Sequence, residues 1–228
     1  MSDVFSISRF RMDSDGPGIS TLIGIPRCPL DCKYCLNPAC HDDESQWPYY
    51  DAKELIDFVK RDELYMRMTG GGIVFGGGEP LRAGDFIKEC ALYSKKAMSG
   101  IPIRIETSLQ ASQEKLQELL PYVSLWIIDI KDLDPDIYYR YTHGQMDLMW
   151  HNLMYLVQHA PYGQDSIRVR VPRIPGYNTK RNEKSGRPPK KVRDKGSLHM
   201  IGYATVFRRL YKKIKFATMK TKGGVADG

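Results

Sequence analysis

No stretch of this 228-residue chain stays apolar for the roughly 20 residues a membrane helix needs, so nothing in it reads as a helical membrane span. The opening Met1-Ser-Asp-Val-Phe-Ser has neither the basic nor the apolar region of a secretory leader. Cysteines are few: five, an odd number, with three of them inside one window of eight positions. That count does not make a disulfide framework and fits a reducing, cytoplasmic setting with a metal site. A GxGxxG turn followed about 20 residues later by an acidic residue is also missing, which argues against a dinucleotide-binding Rossmann sheet. Hydrophobic residues at 42% and charged residues at 27% are ordinary for a globular domain, and the length suits one full core.

The positive charge is unevenly spread. From residue 180 to 228 there are 15 Lys and Arg against 3 Asp and Glu, whereas the rest carries 19 against 24. The first part is therefore mildly acidic, and the net charge of +7 belongs to the tail. Such a tail reads as a solvated segment or as a surface for acidic partners.

The cysteine window is Cys28-Pro-Leu-Asp-Cys32-Lys-Tyr-Cys35, directly after the apolar run Ile19–Ile25. Three thiolates this close suit one metal centre, and three is one short of a closed four-ligand site. An iron–sulfur cluster with one open iron position fits this count. A zinc site completed by Cys40 or His41 is the alternative. The next motif is Thr69-Gly-Gly-Gly-Ile-Val-Phe-Gly-Gly-Gly-Glu-Pro-Leu81, a short apolar strand running into glycines. Glycines let a ligand approach the backbone closely, and the carboxylate of Glu79 beside them can accept from a ligand ammonium group.

Together these motifs resemble the radical S-adenosylmethionine (SAM) enzymes. Asp15-Gly-Pro-Gly-Ile19, Cys35-Leu-Asn-Pro38 and Gly70–Pro80 narrow the resemblance to the activating enzymes of glycyl radical enzymes, over residues 13–178. The resemblance implies that Cys28, Cys32 and Cys35 hold a [4Fe-4S] cluster and that SAM chelates the open iron. Reductive cleavage of SAM would then yield a 5′-deoxyadenosyl radical that abstracts a glycine hydrogen from a partner glycyl radical enzyme. Gly77, Gly78 and Glu79 would take the SAM amine and Lys131 its carboxylate. Tyr34 would pack on the cluster or adenine, and Arg170 would lie near SAM. Thr107 and Asp129 match positions near the ribose and a monovalent cation, although Glu106 stands where the family often has Asp. A flavodoxin or ferredoxin would donate the electron to a monomeric chain. No membrane role follows, and nucleic acid is not favoured as a partner.

Strands and helices alternate along the chain. Strands are expected at Val4–Phe10, Ile19–Ile25, Ile73–Phe75, Ile101–Ile105, Val123–Ile130 and Ser166–Pro172. Helices are expected over 51–60, 84–98 and 112–120, each with apolar residues on one side, and over 148–159. This alternation implies parallel βαβ units, and the resemblance makes them a partial (β/α)6 barrel of the radical SAM type. Chemistry in barrels sits at the C-terminal strand ends; the cysteines, Glu79, Thr107, Asp129 with Lys131, and the Arg170 strand all fall there. Residues 1–178 are read as that domain. Residues 179–228 are read as an atypical basic segment, loop or disordered at first, with an amphipathic helix available after Leu198. Two other functions fit less of the sequence: a radical SAM enzyme acting on a peptide or small molecule, and a zinc-binding nucleic-acid protein.

Overall fold

The structure, a computed structural model, describes residues 1–12, 14–42, 47–161, 166–172, 177 and 199–202. Its strands are β1 Ser2–Asp3, β2 Ser6–Met12, β3 Ile19–Ile25, β4 Tyr49–Tyr50, β5 Ile73–Gly77, β6 Ile103–Thr107, β7 Leu125–Asp129, β8 Ile167–Val171 and β9 His199–Gly202. Its helices are α1 Ala52–Val59, α2 Glu63–Thr69, α3 Gly84–Ala97, α4 Gln113–Leu119, α5 Pro135–Thr142 and α6 Met146–His159.

Seven strands form one sheet in the order β2-β3-β5-β6-β7-β8-β9. The strands from β3 to β9 run parallel, and β2 pairs antiparallel with β3 at one edge. Helices link the parallel strands from β3 to β8, which is the partial-barrel arrangement. Parallel strands covered by crossovers are buried on both faces and read as near-continuous apolar runs. Accordingly Ile73, Val74 and Phe75 of β5 and Trp126, Ile127 and Ile128 of β7 have essentially no exposure.

The helices form where caps and apolar stripes coincide. Asp51 caps α1 by accepting from the Glu54 amide, and the Glu54 side chain accepts from the Asp51 amide. Leu55, Ile56 and Val59 then face the core. Phe86, Ile87, Cys90 and Ala91 do the same on α3.

Several elements differ from the sequence reading. Helix α5 was not expected, yet Asp134 accepts from the amides of Asp136 and Ile137, and Pro135 occupies its first turn. Helix α2 was also missed, because Met66 is its one buried residue and its apolar residues make no stripe. The sheet does not end at residue 178: β9 pairs with β8 in parallel register, Arg168 against His199 and Val171 against Gly202. Two apolar residues in a basic segment carry too little pattern to reveal that strand. The expected exit turn at 173–178, apart from Tyr177, and the helix after Leu198, apart from 199–202, lie outside the described residues. Among those residues no helix is long and apolar enough to cross a membrane.

Candidate active site

Parallel register brings the C-terminal strand ends to one level, with Ile25 opposite Gly77, Thr107 opposite Ile128 and Asp129 opposite Arg170. Above them lies a cavity of about 680 Å³. The strand ends contribute Gly77, Gly78, Thr107, Ser108, Asp129, Lys131 and Arg170 to its wall, and the loop after β3 contributes Cys28, Cys32, Tyr34 and Cys35.

The cysteine loop is held from two sides. The amides of Asp31 and Lys33 donate to the carbonyls of Thr142 and Tyr141 at the end of α5, at 2.9 and 3.0 Å. On the other side the Asn37 side chain donates to the Gly77 carbonyl at 3.1 Å. Gly77 and Gly78 are glycines for a steric reason. Gly77 sits at φ +96, and a Cβ there would lie 2.5 Å from the Phe5 ring. A Cβ on Gly78 would lie 2.4 Å from the Arg27 carbonyl, the same oxygen that accepts the Glu79 amide. The strand end is therefore laid flat against the cysteine loop, with bare backbone facing the cavity.

Burial pushes the Cys28 thiol up to about 12 and raises that of Cys32, although Lys131 pulls Cys32 down. Thiolates here need a metal to hold them, and loading one must expel protons. The sulfurs of Cys28, Cys32 and Cys35 are not drawn together as a single-ion site requires. Cys35, Cys40 and His41 are the only metal-ligating trio within 4.8 Å of one another among the described residues. Around one tetrahedral zinc the sulfurs would sit about 3.8 Å apart. A trio spread around a shared cavity fits a multi-iron cluster better.

The charged wall is a network across three strands. Arg170 donates to Asp129 at 2.6 Å and also to Glu106, and Lys131 lies 3.4 Å from Asp129. Burial pushes the Asp129 carboxyl up, but Lys131 and Arg170 together hold it below the usual range. Burial raises the Glu106 carboxyl against the pull of Arg170. Lys131 stays cationic because Asp129, and to a lesser degree Cys32, outweigh its burial.

The structure thus brings Cys28, Cys32, Cys35, Tyr34, Gly77, Gly78, Thr107, Asp129, Lys131 and Arg170 around one cavity. Glu79 lies beneath that wall. It is completely buried and does not line the cavity. One carboxylate oxygen accepts from the Thr107 hydroxyl at 2.6 Å and the Leu81 amide at 3.2 Å; the other accepts from the Ser108 amide and hydroxyl at 3.0 and 2.7 Å. Its side chain ties the end of β5 to the end of β6. Burial raises its pKa, opposed by the bonds from Ser108 and Thr107. Sequence reasoning missed Ser108, Tyr141, Asn37 and Arg11 as cavity residues. Ser108 was accessible as the residue after the strand-end Thr107. Tyr141 lies on the unexpected α5, where its ring sits 6.2 Å from Tyr34.

Residues 22–151 match the profile of the radical SAM superfamily. The (2S)-3-sulfopropanediol dehydratase activating enzyme of Klebsiella oxytoca is 27% identical over 77% of this chain and 72% of its own. The choline trimethylamine-lyase activating enzyme of Oleidesulfovibrio alaskensis is 23% identical over 92% and 86%. The benzylsuccinate synthase activating enzyme of Thauera aromatica is 24% identical over 77% and 69%. Among solved structures, a radical SAM methyltransferase from Sphaerobacter thermophilus superposes with a TM-score of 0.54 at 13% identity, over 79% of this chain and 61% of that one, a likeness of fold. With more than half its length matched and the three cysteines facing one cavity beside the glycine strand end, the chain belongs to the radical SAM superfamily, and its cofactors are a [4Fe-4S] cluster and SAM.

Proposed function

We propose that the chain is an activating enzyme that installs a glycyl radical on a partner enzyme. The observation that carries this reading is the shared activity of its relatives, which act as activating enzymes for several different glycyl radical enzymes. When bound, the cluster and SAM supply a 5′-deoxyadenosyl radical able to take a hydrogen atom from a glycine α-carbon. The chain's own residues bind and orient. Cys28, Cys32 and Cys35 ligate the cluster. The bare backbone at Gly77 and Gly78 receives the SAM amine, while Lys131 and Arg170 face its carboxylate. Thr107, Ser108 and Asp129 offer partners to the ribose, Tyr34 an aromatic face to the adenine. The Arg170 guanidinium already bridges the two carboxylates that a monovalent cation would use, so any such cation must share them. Glu79 keeps the strand ends at fixed separation. A cavity of about 680 Å³ is within the usual range for a cofactor-sized ligand. A monomer working in the cytoplasm with a flavodoxin or ferredoxin donor completes the proposal.

The test is electron paramagnetic resonance on reduced protein, SAM and a purified glycyl radical enzyme from the same genome. A doublet from the glycine α-hydrogen is expected, and it should vanish when that glycine is replaced by alanine. SAM cleavage with no doublet for any candidate partner would move the assignment to a peptide or small-molecule substrate.

A further inference from the structure

Cys40 is a cysteine that neither the cluster nor the core claims. It is completely buried, yet unlike Cys90 it is not part of the contiguous apolar core. Its sulfur lies instead with that of Cys35 and a ring nitrogen of His41, all within 4.8 Å of one another. Ligand atoms around tetrahedral zinc sit roughly 3.3–3.8 Å apart, given bonds of about 2.3 Å to sulfur and 2.0 Å to nitrogen. Small side-chain rotations close that gap.

The backbone presents the trio in advance. Cys40 and His41 end the 3-10 turn Pro38–His41, where the Cys40 amide donates to the Asn37 carbonyl at 3.0 Å. The Cys40 carbonyl accepts from the Arg27 amide at 2.7 Å, and the Asn37 side chain pins the turn to Gly77. The turn is thus fixed to both the cysteine loop and the end of β5. Two soft thiolates and an imidazole suit zinc-class ions. His41 is exposed, so solvent can take the fourth position and the ion can exchange.

We propose that Cys35, Cys40 and His41 form a single-ion site for a divalent zinc-class cation, and that zinc loading and cluster loading exclude each other because both need Cys35. Binding displaces the two thiol protons to solvent and involves no redox change. The cluster-free chain then has a zinc-held resting form, and cluster assembly must evict the ion.

The probe is cobalt(II), titrated anaerobically into the cluster-free full-length chain, with zinc as competitor. One cobalt per chain should bind with the visible bands of a tetrahedral thiolate site and be displaced by zinc. Cys40→Ser and His41→Gln should weaken cobalt binding by more than the about 10- to 100-fold typical when a ligand only loses a hydrogen-bond partner; Cys28→Ser and Cys32→Ser should leave the bands in place. Cluster reconstitution should show the opposite pattern: lost in Cys28→Ser and Cys32→Ser, retained in Cys40→Ser, which also shows that this variant folds. One equivalent of zinc should slow reconstitution of the wild type and not of Cys40→Ser. Absence of tetrahedral bands in the wild type would overturn the proposal. So would bands lost in Cys28→Ser or Cys32→Ser but kept in Cys40→Ser.

Discussion

Replacing Glu79 by Gln separates two roles for the carboxylate beside the glycines. Its oxygens accept four hydrogen bonds, two from the backbone amides of Leu81 and Ser108 and two from the hydroxyls of Thr107 and Ser108. A hydroxyl can turn and accept instead, but a backbone N–H cannot. Glutamine has one oxygen and one NH2, so whichever way it sits its NH2 faces one of the two amides. The cheaper orientation sacrifices the longer Leu81 bond, at 3.2 Å against 3.0 Å to Ser108. Even then the Thr107 hydroxyl must turn, while its oxygen still accepts from the Leu109 amide. An orphaned buried donor costs about 1–3 kcal/mol, and losing charge assistance on the remaining bonds adds to it. The expected loss of stability is about 2–4 kcal/mol.

The protonated acid retains a lone pair on its hydroxyl oxygen that can receive the amide, so the orphaned amide is a cost of the Gln variant in either protonation state, while the size of the loss changes with pH. The folded pKa is raised, so the wild type loses stability as pH rises from about 4.3 through the folded value, and the Gln variant should lack that slope. Urea unfolding of the full chain should show a lower midpoint with an unchanged m value. SAM affinity should fall only as far as the loosened strand ends disturb Gly77 and Gly78. An unchanged midpoint with a large loss of SAM affinity would refute the reasoning and return Glu79 to direct contact with SAM.

Arg104 is 2% exposed, and its guanidinium donates to the carbonyls of Asp15, Pro17 and Gly70 and to the Ser20 hydroxyl at 2.7–3.0 Å. Arg104→Met should cost at least about 3 kcal/mol in urea unfolding while leaving iron loading intact, because it acts at the end of the sheet away from the cysteines; a loss under about 1 kcal/mol would show that these carbonyls find other partners. Asp62 accepts from Arg9 at 2.9–3.0 Å and Thr21 at 2.8 Å; burial pushes its carboxyl up, but these bonds hold it below its usual value. That stability is present above the unfolded value of about 3.9 and lost as pH falls through the folded one. The gap between wild type and Asp62→Asn, about 1–3 kcal/mol near pH 7 after allowing for the exposure of Arg9, should therefore close in acid; a gap that is constant with pH would contradict it.

What could be read in advance was local. The cysteine spacing, the glycines after Phe75 and the apolar runs of β3, β5 and β7 each declare themselves within a dozen residues, and the barrel order follows once strands alternate with helices. Helix α5 was overlooked although Asp134-Pro135 is a start signal, because its inward residues are Tyr138, Tyr141 and Thr142 rather than aliphatics. Helix α2 exposes Leu64 and Met68 at 66% and 78%, which erases the periodic stripe. The ribbon of β1 and β4 has two residues per strand and no periodicity to detect.

The harder limit is direction. A carboxylate after a glycine-rich strand can face a ligand or the next strand, and composition does not decide between them. Glu79 faces inward because the chain turns at once into the 3-10 turn Pro80–Ala83, which swings its side chain to Thr107 and Ser108. Register is equally invisible. Asp129 and Arg170 each read as cavity residues on separate strands, but only the pairing of β7 with β8 sets them opposite each other and lets Arg170 reach past β7 to Glu106 on β6. A slip of one residue would turn Arg170 to the other face of the sheet. The two carboxylates would then lose their shared cation, and both would be driven toward protonation by the burial that already raises Glu106. The charge of the cavity wall is thus a property of strand register, which explains why residues far apart in sequence act there as one group.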